Sequence, residues 1–275
     1  MKTLIVPTDF SAISKNASDY AFEMARSINA SILLVNIYNI PVSISEVPVV
    51  LTSEEDVRIE AERMINELKK EYETRSDNSI KIYTDVKLGV VEEELEGLCK
   101  KINPLAVVMA TKGATGLERV IFGSNTLTAI KHLFVPVIVV PPNAKFKKIE
   151  HIGFATDFKN VKEITPKEEI EFFTKLFGAK LHVLNIDYKD KHFTPASPEE
   201  SLMLDMMLKD LSPEYHHIEE TDVERAINNF ADNYHLDMVL VVPRKHKLLD
   251  SIFSKSHSKE LALHTHVPMM SIHHE

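Results

Sequence analysis

The chain repeats itself. Thr8-Asp9-Phe10 recurs as Thr156-Asp157-Phe158, and each copy closes a short apolar run, 4–6 and 152–155. Val35-Asn36-Ile37 returns as Leu184-Asn185-Ile186, the apolar run 105–109 as 237–241, and Val135-Pro136 as Val267-Pro268. The matches keep their order, and their offset stays between 132 and 149 residues. Collinear matches of this kind mark an internal duplication. The 275 residues therefore divide into two like units, 1–143 and 144–275. The join falls near Pro141-Pro142-Asn143, ahead of the basic stretch 145–148.

Each unit alternates strand and helix patterns. In the first, strands are expected at 3–7, 31–38, 80–87, 105–110 and 136–140, and helices at 14–28, 54–73, 91–101 and 125–132. Ser53 before Glu54, Glu55 and Asp56 reads as a helix cap with acid in the first turn. The strands are nearly continuous Val, Ile and Leu, as needed when helices cover both faces of a sheet. The expected class is α/β, with one five-stranded, mostly parallel, doubly wound sheet per unit. Ligands on such sheets sit beyond the carboxyl ends of strands, where the strand order reverses. The second unit reads alike. A loop is expected at 194–198, and a Met-rich helical stretch at 201–211 whose apolar stripe faces the core. The apolar strand at 137–140 needs cover on an otherwise open edge, so the last strands of the two units should pair.

Composition excludes several classes. Apolar residues are 44% and charged residues 27%, as in ordinary globular proteins. A net charge of −9 argues against a general nucleic-acid binder. Cys99 is the only cysteine, so no intrachain disulfide can form, and its helical setting points to a buried thiol. The opening residues are too soon acidic for a signal peptide, and no apolar run reaches membrane-spanning length. The expectation is a cytoplasmic protein without membrane contact.

Three of the seven glycines lie close together, at Gly113, Gly116 and Gly123. They sit between the strand ending at Met109-Ala110 and the helix starting at Ser124-Asn125. Strand, glycine loop and helix start form an anion site, because glycine admits a phosphate and the first helical N–H groups are free to bind it. Neither Gly-x-x-x-x-Gly-Lys-[Ser/Thr] nor Gly-x-Gly-x-x-Gly occurs. The spacing present is Ala110-x-x-Gly113-x9-Gly123-Ser124.

This pattern resembles the universal stress protein family, whose nucleotide-binding members carry Gly-x-x-Gly-x9-Gly-[Ser/Thr]. The resemblance runs through both units, from Val6-Pro7-Thr8-Asp9 to the closing strand at 135–140, and matches the tandem form of the family. It implies two Rossmann-like domains of the adenine nucleotide alpha hydrolase type, packed as a pseudo-dimer within one chain. A homodimer of such chains stays open. It also implies one ATP, with Mg2+ aiding the phosphates. Pro7, Thr8 and Asp9 would lie near the ribose or adenine, Ile37 would offer its backbone to the adenine, and Met109 and Ala110 would flank the site. Lys112, Gly113, Gly123, Ser124 and Asn125 would hold the phosphates. Ala110 departs from the family glycine. If that position needs positive φ, alanine is strained by roughly 1 kcal/mol or more; if it needs only a small side chain, alanine serves.

In the second unit the pattern has gone. Ala110, Gly113, Gly116 and Gly123 become Val242, Lys245, Leu248 and Lys255, so no ATP is expected there. His264, His266, His273 and His274, like His216-His217, read as exposed histidines. No Gly-x-Ser-x-Gly or His-Glu-x-x-His occurs, so the chain is not expected to be an enzyme. The leading expectation is a stress-response regulator that binds ATP and an unidentified protein partner. A nucleotide-free scaffold and a weak ATP hydrolase are the alternatives.

Overall fold

A computed structural model describes residues 2–40, 53–113, 120–156, 158, 160–187, 197–219, 223–243 and 266–273. The first unit runs β1 (Thr3–Pro7), α1 (Ala12–Ile28), β2 (Ser31–Tyr38), α2 (Glu54–Arg75), β3 (Ile82–Leu88), α3 (Val91–Ile102) and β4 (Ala106–Ala110). A short ribbon follows, β5 (Lys112–Gly113) and β6 (Val120–Ile121), then α4 (Ser124–His132) and β7 (Val137–Val140). The second unit runs β8 (His151–Thr156), α5 (Val161–Ile164), α6 (Lys167–Phe177), β9 (Lys180–Asp187) and α7 (Ser197–Leu208). It closes with β10 (Glu214–Glu219), α8 (Val223–Tyr234), β11 (Met238–Val241) and β12 (Met269–Ser271).

The strands order as β10-β9-β8-β11-β12-β7-β4-β1-β2-β3 in one ten-stranded sheet. Each half is parallel and has the same order, and the halves meet antiparallel. Met269 lies opposite Val139, Met270 opposite Ile138 and Ser271 opposite Val137. The apolar edge of each half is thereby covered by the last strand of the other.

Alternation along the strands assigns side chains to two cores. Leu4, Val6, Ile138, Val140, Ile152 and Met270 face the layer holding α1, α2 and α6. Ile5, Val137, Val139, Val239 and Met269 face the layer holding α3, α4 and α8. Both cores cross the junction, so neither half encloses its own interior. Cys99 is fully buried in the second core, and burial pushes its thiol up to about 12.

The duplication extends to backbone conformation. Phe10 and Phe158 both adopt positive φ, 64° and 53°. The N–H of each donates to a threonine hydroxyl two residues earlier, Thr8 at 3.1 Å and Thr156 at 3.4 Å. Asn29 and Gly178 end α1 and α6 in the left-handed region. The halves differ at Pro166, which lacks an N–H and separates α5 from α6, where α1 runs unbroken.

The Met-rich stripe departs from expectation. Leu204 and Leu208 are fully buried, but Leu202, Met203 and Met206 are exposed. Helix α7 carries apolar side chains on several sides and packs against α5 and α6. It also begins at Ser197, inside the stretch expected to be loop. Residues 194–196 lie outside the described part of the chain.

Candidate functional site

Strand order reverses at β1, which has β2 on one side and β4 on the other. Helices α1 and α4 start beside the carboxyl ends of these strands. A cleft of about 390 Å3 opens there, within the range of small-molecule sites. Pro7, Thr8 and Asp9 line it from the end of β1, Ile37 from β2, and Met109, Ala110 and Thr111 from β4. Gly123, Ser124, Asn125 and Thr126 line it from the start of α4.

The turn after β1 is tightly held. Thr8 N–H donates to the Val35 carbonyl at 2.9 Å, and Asn36 Nδ2 to the Thr8 carbonyl at 2.8 Å. Ser11 caps α1, its hydroxyl accepting from Ser14 N–H at 3.2 Å. This cap starts α1 at Ala12, ahead of the apolar periodicity that marks the helix from residue 14. Ser11 N–H also donates to Asp9 Oδ1 at 3.0 Å. Burial pushes the Asp9 carboxyl up, but hydrogen bonds from Ser11 and Ser14 outweigh it and hold the group below its ordinary value. Asp9 is therefore an anion at neutral pH.

The start of α4 is different. Its N-cap is Gly123, with φ −67° and ψ 153°, and no side chain caps it. No acidic residue stands in its first turn. The partial positive charge of the helix start faces the cleft without a protein partner from its cap. Thr126 Oγ1 donates to the Ala110 carbonyl at 2.9 Å and ties this helix start to β4. The Thr111 hydroxyl, on a residue only 4% exposed, has no hydrogen-bond partner among the described residues.

Ala110 ends β4 as strand and is absent from the positive-φ residues, so alanine carries no left-handed strain here. Lys112 and Gly113, also expected at the site, follow β4 directly. They form β5, paired antiparallel with Ile121 and Val120. Sequence reasoning missed Ser11, Ile13, Ser14, Val91, Thr111 and Thr126 as lining residues. The Ser11-x-x-Ser14 capping pattern is the signal that could have revealed the two serines. In the second half, Asp157 and residues 244–265 lie outside the described part of the chain.

Two histidine expectations need correction. His216 is packed against the rings of Phe230 and Tyr234, at 4.7 and 4.5 Å, rather than exposed. His273 is partly buried, and burial lowers its pKa. His217 and His266 are exposed, and His266 Nε2 meets Asp232 at 2.9 Å. His264 and His274 lie outside the described residues. Among the described residues no helix is long and apolar enough to cross a membrane.

Comparison with known proteins places this architecture. Universal stress protein MJ0531 of Methanocaldococcus jannaschii is 29% identical over 143 residues, covering 50% of this chain and 81% of its own length. The crystal structure of a universal stress protein from Archaeoglobus fulgidus shares the fold at TM-score 0.72 and 17% identity, covering 98% of both chains. A functionally unknown protein of Pseudomonas aeruginosa PAO1 does so at TM-score 0.61 and 10% identity, covering 99% of this chain and 92% of its own. The universal stress protein family model matches residues 1–141 and again 148–273, so the chain belongs to the universal stress protein family and carries its unit twice.

Proposed function

We propose that the chain binds one ATP in the cleft of its first half, as a regulatory ligand in a stress response, with little or no turnover. The reading rests on one observation: the start of α4, with neither a side-chain cap nor an acidic residue in its first turn, opens on a cleft at the strand-order reversal. Free helical N–H groups are what a phosphate chain satisfies. The Asp9 carboxylate sets the orientation. It repels phosphate and accepts hydrogen bonds from sugar hydroxyls or base N–H groups. The phosphates therefore lie toward Gly123, Ser124 and Asn125, with Mg2+ offsetting their charge. The ribose lies toward Thr8 and Asp9, and the adenine beside Ile37. The second unit, 144–275, serves as the permanent partner of the first.

Little support for catalysis comes from this lining. Asp9 is the one ionisable side chain among the described lining residues, and its lowered pKa makes it a weak base. Bound ATP would act by favouring one arrangement of the cleft over others, which alters the surface offered to a protein partner. Calorimetry with ATP on the full chain tests the proposal. One saturable site per chain and slow phosphate release are expected. Absence of ATP binding would refute it in favour of a nucleotide-free scaffold, and fast turnover would refute it in favour of a hydrolase.

A further inference from the structure

At the strand-start end of the second half, three side chains from two neighbouring strands converge. His182 projects from β9, and Glu214 and His216 from β10, two residues apart and so on one face. His182 Nδ1 lies 3.2 Å from His216 Nε2 and 3.5 Å from Glu214 Oε2. Glu214 Oε2 lies 4.0 Å from His216 Nε2. Ligand atoms bound tetrahedrally at about 2.0–2.1 Å from a zinc ion stand roughly 3.3–3.4 Å apart. The three atoms thus already stand near the corners of a zinc coordination face.

We propose that His182, Glu214 and His216 form a binding site for a divalent transition metal, zinc by its donor set of two imidazoles and one carboxylate. Their surroundings suit the role. His151 on β8 meets His182 through its own Nδ1, 3.0 Å from His182 Nε2. With His182 donating its Nε2 proton in that contact, Nδ1 is left free as the ligand atom. Lys180 Nζ holds Glu214 Oε1 at 2.5 Å and leaves Oε2 toward the histidines. The Lys180 charge weakens the site without blocking it. Phe230 and Tyr234 of α8 meet the imidazoles edge-on or tilted and limit their rotation. The ion would tie β9 to β10, the outermost strand of the sheet. Glu214, 46% exposed at its side chain, gives the ion a route in.

The experiment uses the full chain without an affinity tag, stripped with a chelator and titrated with zinc chloride in a calorimeter. One zinc per chain is expected, with a rise in melting temperature. Cobalt(II) in the same site should show the visible absorption of a tetrahedral centre. Glu214→Gln and His216→Ala should each weaken binding by tenfold or more and remove the thermal shift. His151→Phe should weaken it by about 10–100-fold through the lost orientation of His182. His217→Ala, beside the site but on the other face of β10, should bind zinc as the parent does. No saturable binding in the parent would overturn the proposal. Equal affinity in Glu214→Gln and His216→Ala would also overturn it, by locating the metal at other histidines.

Discussion

Replacing Ile138 by alanine should weaken both halves of the molecule at once. Ile138 is fully buried in β7, with Val108 of β4 on one side and Met270 of β12 on the other. It belongs to a core that includes Leu4 and Val6 of the first half and Ile152 and Leu240 of the second. The substitution removes three carbons, which at about 0.8 kcal/mol each forfeits about 2.4 kcal/mol of burial. A sheet interior held by strands on both sides collapses poorly around a void, so the cavity adds to this and the total becomes about 3–5 kcal/mol. That is a large share of the roughly 5–15 kcal/mol that stabilises a typical domain. The chain has no tryptophan, so the assay is urea unfolding followed by far-ultraviolet circular dichroism, with hydrogen exchange resolving the halves. Amides of β4 and β11 should lose protection together. Ile59→Ala, at a side chain 51% exposed, should change stability by less than about 0.5 kcal/mol. A loss below about 1 kcal/mol at Ile138, or reduced protection confined to one half, would refute a core shared across the β7–β12 junction.

Other consequences can be measured directly. Gly123→Val should abolish ATP binding in calorimetry, because a branched side chain at the N-cap of α4 fills the phosphate end of the cleft while the melting temperature barely moves. Gly153→Ala should destabilise by about 1–3 kcal/mol, since its Cβ would stand 2.5 Å from Leu236 Cδ1, and Leu236→Val in the same chain should recover part of the loss. Cys99 should resist thiol reagents at pH 8 in the native protein and react at once in denaturant, because burial raises its pKa to about 12 and seals it from solvent. Asp9 has a folded pKa below its ordinary 3.8, so it contributes stability above that value, which is lost as pH falls through the lower folded pKa. Asp9→Asn should therefore flatten the acid limb of the stability profile, read by thermal melts from neutral pH downward.

Much of the fold is legible in the residues themselves. Repeated Thr-Asp-Phe and apolar runs reveal the duplication, and strands and helices of the first half fall close to the positions their periodicity marks. Most of the cleft is legible too, because Asp9, Ala110, Gly123, Ser124 and Asn125 follow strand ends or open a helix, and strand ends in such sheets share one rim. Where local pattern misled, the cause lay in neighbours distant along the chain. The apolar residues of α7 looked like core, yet a helix on the periphery of a sheet has only one side to bury. His216 looked like surface until α8 laid Phe230 and Tyr234 across it.

The sequence by itself determined that this is a duplicated α/β chain with a glycine-bearing loop in its first unit, since composition, period and repeat are properties of short stretches. Tertiary structure alone decided which residues meet. It left Ala110 free of left-handed strain, paired Lys112 and Gly113 with Ile121 and Val120 in a short ribbon, and brought His182 within 3.2 Å of His216 from 34 positions away. Periodicity tells which face of a strand a side chain occupies, but only the pairing of strands, fixed by non-local packing, tells what stands beside it.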